Sequence, residues 1–129
     1  MVEFSMMEIL LSIHPNHIEQ IKLGIKKFEY RKILPKMKVQ TVYIYGTSPI
    51  SKVVARFEVK QVISDTLVPL WEKTKYNSGI IEEEFFQYFS KRDTAYAIEI
   101  ANFELLPEPL ELEEFCGKKH PPQSFYYLK

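Results

Sequence analysis

At 129 residues, with 46% hydrophobic and 14% aromatic side chains, the chain has the size and apolar content of one packed domain, which excludes disorder along most of its length. Its 17 basic and 17 acidic residues cancel to +0, so overall charge does not draw it to nucleic acid or membrane. The single cysteine, Cys116, excludes an internal disulfide and a cysteine-rich zinc site, and no apolar run approaches the ~20 residues that span a bilayer. The expectation is one domain over 1–129, with its core beginning near Glu8 and no linker.

Met1 to Ser5 carries no basic stretch ahead of an apolar one, so no leader is expected, and a lone thiol suits a reducing compartment. A soluble, cytoplasmic protein follows from that reading. Met7 to Ile13 reads as a buried first strand. Pro15-Asn16 opens a short helix, because proline fits a first helical turn, and Gly24 suits its end. Lys27-Phe28-Glu29-Tyr30-Arg31 alternates charge and aromatic, the period of a half-buried strand. Ile33 to Lys38 is a loop, Val39 to Tyr45 a strand, and Gly46-Thr47-Ser48-Pro49 a turn by residue type.

Lys52 to Val62 alternates Val53, Ala55, Phe57 and Val59 with Arg56, Glu58 and Lys60, the pattern of a strand with one buried face. A helix capped at Asp65 or Thr66 carries Leu67, Leu70 and Trp71, and Asn77-Ser78-Gly79 ends it. Ile81 to Phe89 forms another helix, with Phe85, Phe86, Tyr88 and Phe89 assigned to the core. Asp93 to Ile100 is a strand, Leu105 to Leu110 an extended connector, Glu111 to Phe115 an acidic turn, and His120 to Leu128 an irregular tail. His14 and His17 read as polar residues of a helix start, and no metal or other cofactor is expected.

Charge is uneven along the chain. Lys22 to Lys38 holds seven bases and one acid, whereas Glu99 to Phe115 holds six acids and no base. These blocks are either two solvated faces or a phosphate-facing edge opposite an acidic one. If Phe28 and Tyr30 point inward, Lys27, Glu29 and Arg31 share the other face of their strand. Glu29 and Arg31 then form either a surface ion pair, worth ~0–1 kcal/mol, or the lining of a cleft that offers an acceptor and a fork of donors to a nucleobase or phosphate.

The word Gly24-x-Lys26-x-x-Glu29-x-Arg31, followed by Tyr43-Ile44-Tyr45-Gly46-Thr47-Ser48-Pro49 and Val53-Val54-Ala55-Arg56-Phe57, resembles the ASCH domain family. The likeness continues through Leu70-Trp71-Glu72, Glu84 to Phe89, Tyr96-Ala97-Ile98 and Pro121-Pro122-Gln123-Ser124-Phe125. It implies an α+β class, a small PUA-like mixed β-barrel of about five or six strands with short flanking helices. It also implies an RNA-contacting polar cleft. In this sequence that cleft would be lined by Lys26, Glu29 and Arg31, bordered by Tyr45, Thr47 and Ser48, and approached by Ser124 from the tail. The implied partner is RNA or a nucleotide-like ligand.

Some relatives of the family are amidohydrolases of acetylcytidine, and they use a threonine nucleophile, a lysine and a glutamate. Lys26 matches that lysine, but the threonine position is Glu29, which departs from the hydroxyl chemistry. The relatives' acid would fall near Glu72. A hydrolase of a modified nucleoside or of RNA, with Lys26 and Glu29 as its catalytic pair, is therefore the alternative to a binding module.

Overall fold

The first strand, β1 (Met7–Ile13), carries the apolar residues Ile9, Leu10, Leu11 and Ile13 on both of its faces because both are covered. Ile9, Leu11 and Ile13 pack into one cluster with Val42, Ile44, Ala55 and Phe57, while Leu10 on the opposite face packs with Tyr45, Val53 and Leu112. In this computed structural model residues 7–128 are described; Met1 to Ser5, read above for a leader, lie outside them. β1 pairs in parallel with β3 (Val39–Gly46), a geometry that requires a long crossover. That crossover holds α1 (Pro15–Lys22) and β2 (Phe28–Arg31).

The remaining pairings are antiparallel: β3 with β4 (Lys52–Thr66), β4 with β5 (Thr94–Leu110), β5 with β2, and β1 with β6 (Phe125–Leu128). The strand order is β2-β5-β4-β3-β1-β6. Among the described residues the two end strands are not paired with each other, so the expected barrel is an open mixed sheet, and the class is α+β as expected. Helices α2 (Leu67–Thr74), α3 (Glu82–Tyr88) and α4 (Leu112–Cys116) are short. Among the described residues no helix is long and apolar enough to cross a membrane.

Two strands are longer than their sequence pattern suggests. β4 runs on to Thr66, and β5 includes the stretch expected as a connector, with Ala55 opposite Leu105 and Val53 opposite Leu110. Pro107 and Pro109 are tolerated there because β2 covers only Tyr96 to Glu99, which leaves the rest of β5 unpaired on that side, and because they fall where the β4–β5 register shifts between Leu105 and Leu110. The expected irregular tail contains β6, which pairs Phe125 to Leu128 with Leu11 to Glu8 of β1. The acidic turn is the short helix α4, ended by Gly117 in the left-handed conformation, φ 77°.

Phe85 organises the packing beneath the candidate site. Its ring meets those of Tyr30, Trp71, Phe86 and Phe89 at 5.1, 5.0, 5.1 and 4.9 Å. Such pairs contribute about 0.5–1.5 kcal/mol each beyond burial. They bind β2 to α2 and α3, and this fixes which way the charged face of β2 points.

Candidate functional site

On β2, Phe28 and Tyr30 sink into the cluster of Leu70, Trp71, Phe85 and Phe89. Glu29 and Arg31 therefore share the opposite face. The Arg31 guanidinium donates from Nε (3.1 Å) and Nη2 (2.9 Å) to Glu29 Oε2, and from Nη2 to the Ser12 carbonyl oxygen at 2.9 Å. Their side chains keep only 14% and 10% of their exposure, for Arg31 and Glu29 respectively. That degree of burial excludes a solvated surface pair, because such a pair does not give up its water. Removing one partner of a pair buried to this degree costs about 3–5 kcal/mol, against ~0–1 kcal/mol at a surface.

Lys26 lies just ahead of β2 and is 3% exposed. Its backbone N–H donates to the Gln20 carbonyl at 3.1 Å, and the next N–H, of Lys27, donates to the Asn77 carbonyl at 2.8 Å. The Lys26 ammonium donates to the Ser78 carbonyl at 2.9 Å and stands 5.0 Å from the centre of the Tyr30 ring. Burial lowers the Lys26 pKa below its ordinary 10.5; Glu29 opposes that shift and Arg31 adds to it. The turn that receives the ammonium depends on Gly79, which has φ +73°. A Cβ there would lie 2.6 Å from Gln20 Oε1 and 2.9 Å from Lys26 Cβ. Beneath it, the Tyr30 hydroxyl bonds Thr74 Oγ1 at 2.6 Å, and burial pushes the Tyr30 pKa up to about 12.

These groups line a cleft of about 400 Å³. Lys26, Glu29 and Arg31 share it with Ser12, His14, His17, Glu84, Tyr88 and Gln123. The buried Nδ1 of His17 has no hydrogen-bond partner among the described residues. Burial first, then the Lys26 ammonium, lowers the His17 pKa below 6.5. Tyr88 stands at the mouth with the Lys32 ammonium 4.6 Å from its ring centre, and its own pKa is raised by burial. The tail reaches the same place because Ser12 Oγ donates to the Pro122 carbonyl at 2.8 Å.

The structure thus brings Lys26, Glu29 and Arg31 together and leaves the other expected residues elsewhere. Tyr45 is buried on the other side of the sheet with Leu10, Val53 and Leu112. Thr47 and Ser48 occupy the turn after β3, where the Thr47 N–H donates to the Ile13 carbonyl at 3.1 Å, and neither lines the cleft. Ser124 is half-buried beside the lining residue Gln123. Glu72 is exposed on α2 and accepts from Lys75 at 2.8 Å. Residue type alone does not reveal His17, Tyr88 and Gln123 as lining groups, because they arrive from α1, α3 and the tail. Tyr88 and Gln123 do lie in the family-like stretches Glu84 to Phe89 and Pro121 to Phe125, but nothing in those stretches singles them out as lining groups. Among the described residues no three His, Cys, Asp or Glu side chains converge as metal ligands; the groups that do converge are ammonium, guanidinium, carboxylate and imidazole.

A profile of the ASCH domain matches residues 11–106, about three-quarters of the chain, and this protein belongs to the ASCH domain family. Over 122 residues, 94% of the chain, it is 31% identical to part of ATP synthase subunit alpha from Ureaplasma parvum serovar 3. It is 30% identical over the same length to part of the large ribosomal subunit protein uL22 from that organism. The chain spans only 15% and 39% of those two relatives. Its fold is shared with the crystal structure of ASCH from Zymomonas mobilis, at a TM-score of 0.86 and 23% identity, covering 95% of this chain and 87% of that one. A tyrosine-to-phenylalanine mutant of the same Zymomonas mobilis protein gives 0.85 at 22% identity, covering 95% and 90%.

The His17 surroundings have a consequence for stability. The folded state disfavours the imidazolium, so below the ordinary value of 6.5 the unfolded chain binds the proton more readily and stability falls as pH drops. Thermal unfolding followed from about pH 7.5 to about pH 5.5 should show a shallower loss for His17→Gln than for the native chain. Parallel slopes for the two proteins would mean that His17 titrates alike in both states.

Proposed function

We propose that this chain is an RNA-binding ASCH module that holds a nucleobase or phosphate in the cleft of Lys26, Glu29 and Arg31. The observation that carries this reading is a buried ammonium and a largely buried guanidinium lining one cleft, the guanidinium paired with the Glu29 carboxylate. In the buried part of the cleft Lys26 and Arg31 stand against Glu29, while the second lining carboxylate, Glu84, is exposed to solvent that screens it, so the interior favours an electronegative guest. With Arg31 Nε and Nη2 engaged by Glu29 and Ser12, its Nη1 is the nitrogen left to donate to a phosphate or to the edge of a base. Lys22, Lys27, Lys32, Lys36 and Lys38 stand around β2 and add an attraction that weakens with salt. A volume of about 400 Å³ suits one nucleotide unit. The related segment in a ribosomal protein supports an RNA partner, whereas the one in ATP synthase subunit alpha carries no such implication, so the reading rests on the cleft.

Short single-stranded RNAs titrated at two salt concentrations test it. Arg31→Ala should weaken binding at least ten-fold with little change in salt slope, Arg31→Lys should fall between it and the native chain, and Lys38→Ala should cost about two-fold while lowering the slope. Equal small losses at Arg31 and Lys38 would reduce the site to general electrostatics. Thermal melts of each variant separate lost binding from lost folding, since Arg31→Ala leaves Glu29 buried without its partner.

One observation favours a second reading, hydrolysis of an acylated nucleoside or of RNA. The lowered pKa of Lys26 brings a neutral amine, a general base, closer to physiological pH, with Glu29 beside it. The binding reading predicts no product when the protein is incubated with N-acetylcytidine and with labelled RNA under conditions where binding is measured. Product that forms with the native chain and disappears in Lys26→Gln would move the assignment to a hydrolase.

A further inference from the structure

A second cavity lies between the loop after β2 and the face of the sheet, and its chemistry is unlike that of the cleft. Its volume is about 420 Å³, within the ~300–1,000 Å³ of small-molecule sites. Leu34, Met37, Val39, Val59 and Val62 wall it, over a floor that includes the core residue Ile98. Lys36, Lys38 and Lys60 stand at its rim, all three exposed. Among the described residues neither a carboxylate nor an aromatic ring lines it.

The three ammonium groups are weakly committed elsewhere. Lys36 and Lys38 form no ion pair among the described residues, and Lys60 lies 3.8 Å from Glu99, which also accepts a 2.7 Å bond from Gln61. The loop that carries two of them is pinned. The Tyr127 hydroxyl accepts the N–H groups of Lys36 and Met37 at 3.0 and 3.4 Å, and the Lys38 carbonyl accepts the Met7 N–H at 3.0 Å. The cavity is therefore held open before any guest arrives, which lowers the cost of binding.

An aliphatic wall under a cationic rim selects its guest on two counts. A nucleobase would find no ring to stack on, although stacking is the usual source of sequence-tolerant base binding. A neutral hydrocarbon would gain nothing from the lysines. We propose that this cavity binds a small aliphatic carboxylate, its hydrocarbon chain laid against Leu34, Met37, Val39, Val59 and Val62 and its anionic end held by Lys36, Lys38 and Lys60. The site is separate from the polar cleft and does not depend on the RNA reading.

Burial of each methylene contributes about a four-fold gain in affinity, so chain length gives a quantitative test. Octanoate and decanoate below their micelle-forming concentrations, and decanol below its solubility limit, are titrated into the isotope-labelled chain while amide shifts are followed. Saturable shifts at Leu34 to Val39 and at Val59 to Val62 are expected, with decanoate, two methylenes longer, about fifteen-fold tighter than octanoate. Decanol, which lacks the charge, should bind at least ten-fold more weakly than decanoate. Lys36→Glu with Lys38→Glu reverses two exposed charges and should cost at least ten-fold. Val62→Glu places a carboxylate in the apolar wall and should abolish the shifts, with thermal melts confirming that both variants fold. The proposal is overturned by equal affinity for decanoate and decanol, by the absence of saturable shifts, or by shifts confined to Lys26 to Arg31. A response to phosphatidylglycerol vesicles with none to the free carboxylates overturns it as well.

Discussion

The bond from the Lys26 ammonium to the Ser78 carbonyl is the constraint on which the cleft depends. An ammonium taken out of water costs several kcal/mol unless the protein replaces the lost hydration. Here a single carbonyl, the face of Tyr30 and the nearby charge of Glu29 do so. The carbonyl is in place because Gly79 turns the chain where a side chain would strike Lys26 itself. Tyr30 is in place because its ring is locked against Phe85 and its hydroxyl against Thr74. An ammonium with three donors and one such acceptor keeps capacity for a guest.

The Glu29–Arg31 pair plays a complementary part. By spending one guanidinium nitrogen on the Ser12 carbonyl, Arg31 ties β2 at one edge of the sheet to β1 near the other. Ser12 in turn holds the tail through Pro122, so three segments distant in sequence close on one hollow. The ASCH family likeness extends to segments that are parts of much longer chains.

Much of the sheet is readable from the residues. β1, β3 and the first part of β4 announce themselves by apolar runs or strict alternation, and the alternation of Lys27 to Arg31 puts Glu29 and Arg31 on one face. What alternation cannot express is depth. The same pattern describes an exposed pair or a buried one, and only Ser12, contributed by another strand, decides. Pro107 and Pro109 hid the end of β5, because proline argues against a strand until the edge position is known. Tyr45 shows the converse: it shares a sequence word with Thr47 and Ser48, yet strand period turns it toward Leu112 on the far face. The open sheet differs from the expected barrel because closure depends on how β2 and β6 meet, which no local pattern records.

Isotope-edited NMR of the lysine side chains tests the central claim most directly. The account predicts that Lys26 titrates below the ordinary lysine value of 10.5 and that a bound 5′-nucleotide or short RNA raises it, because a neighbouring phosphate favours the ammonium. Titration of Lys26 at the ordinary value, unmoved by either ligand, would contradict it.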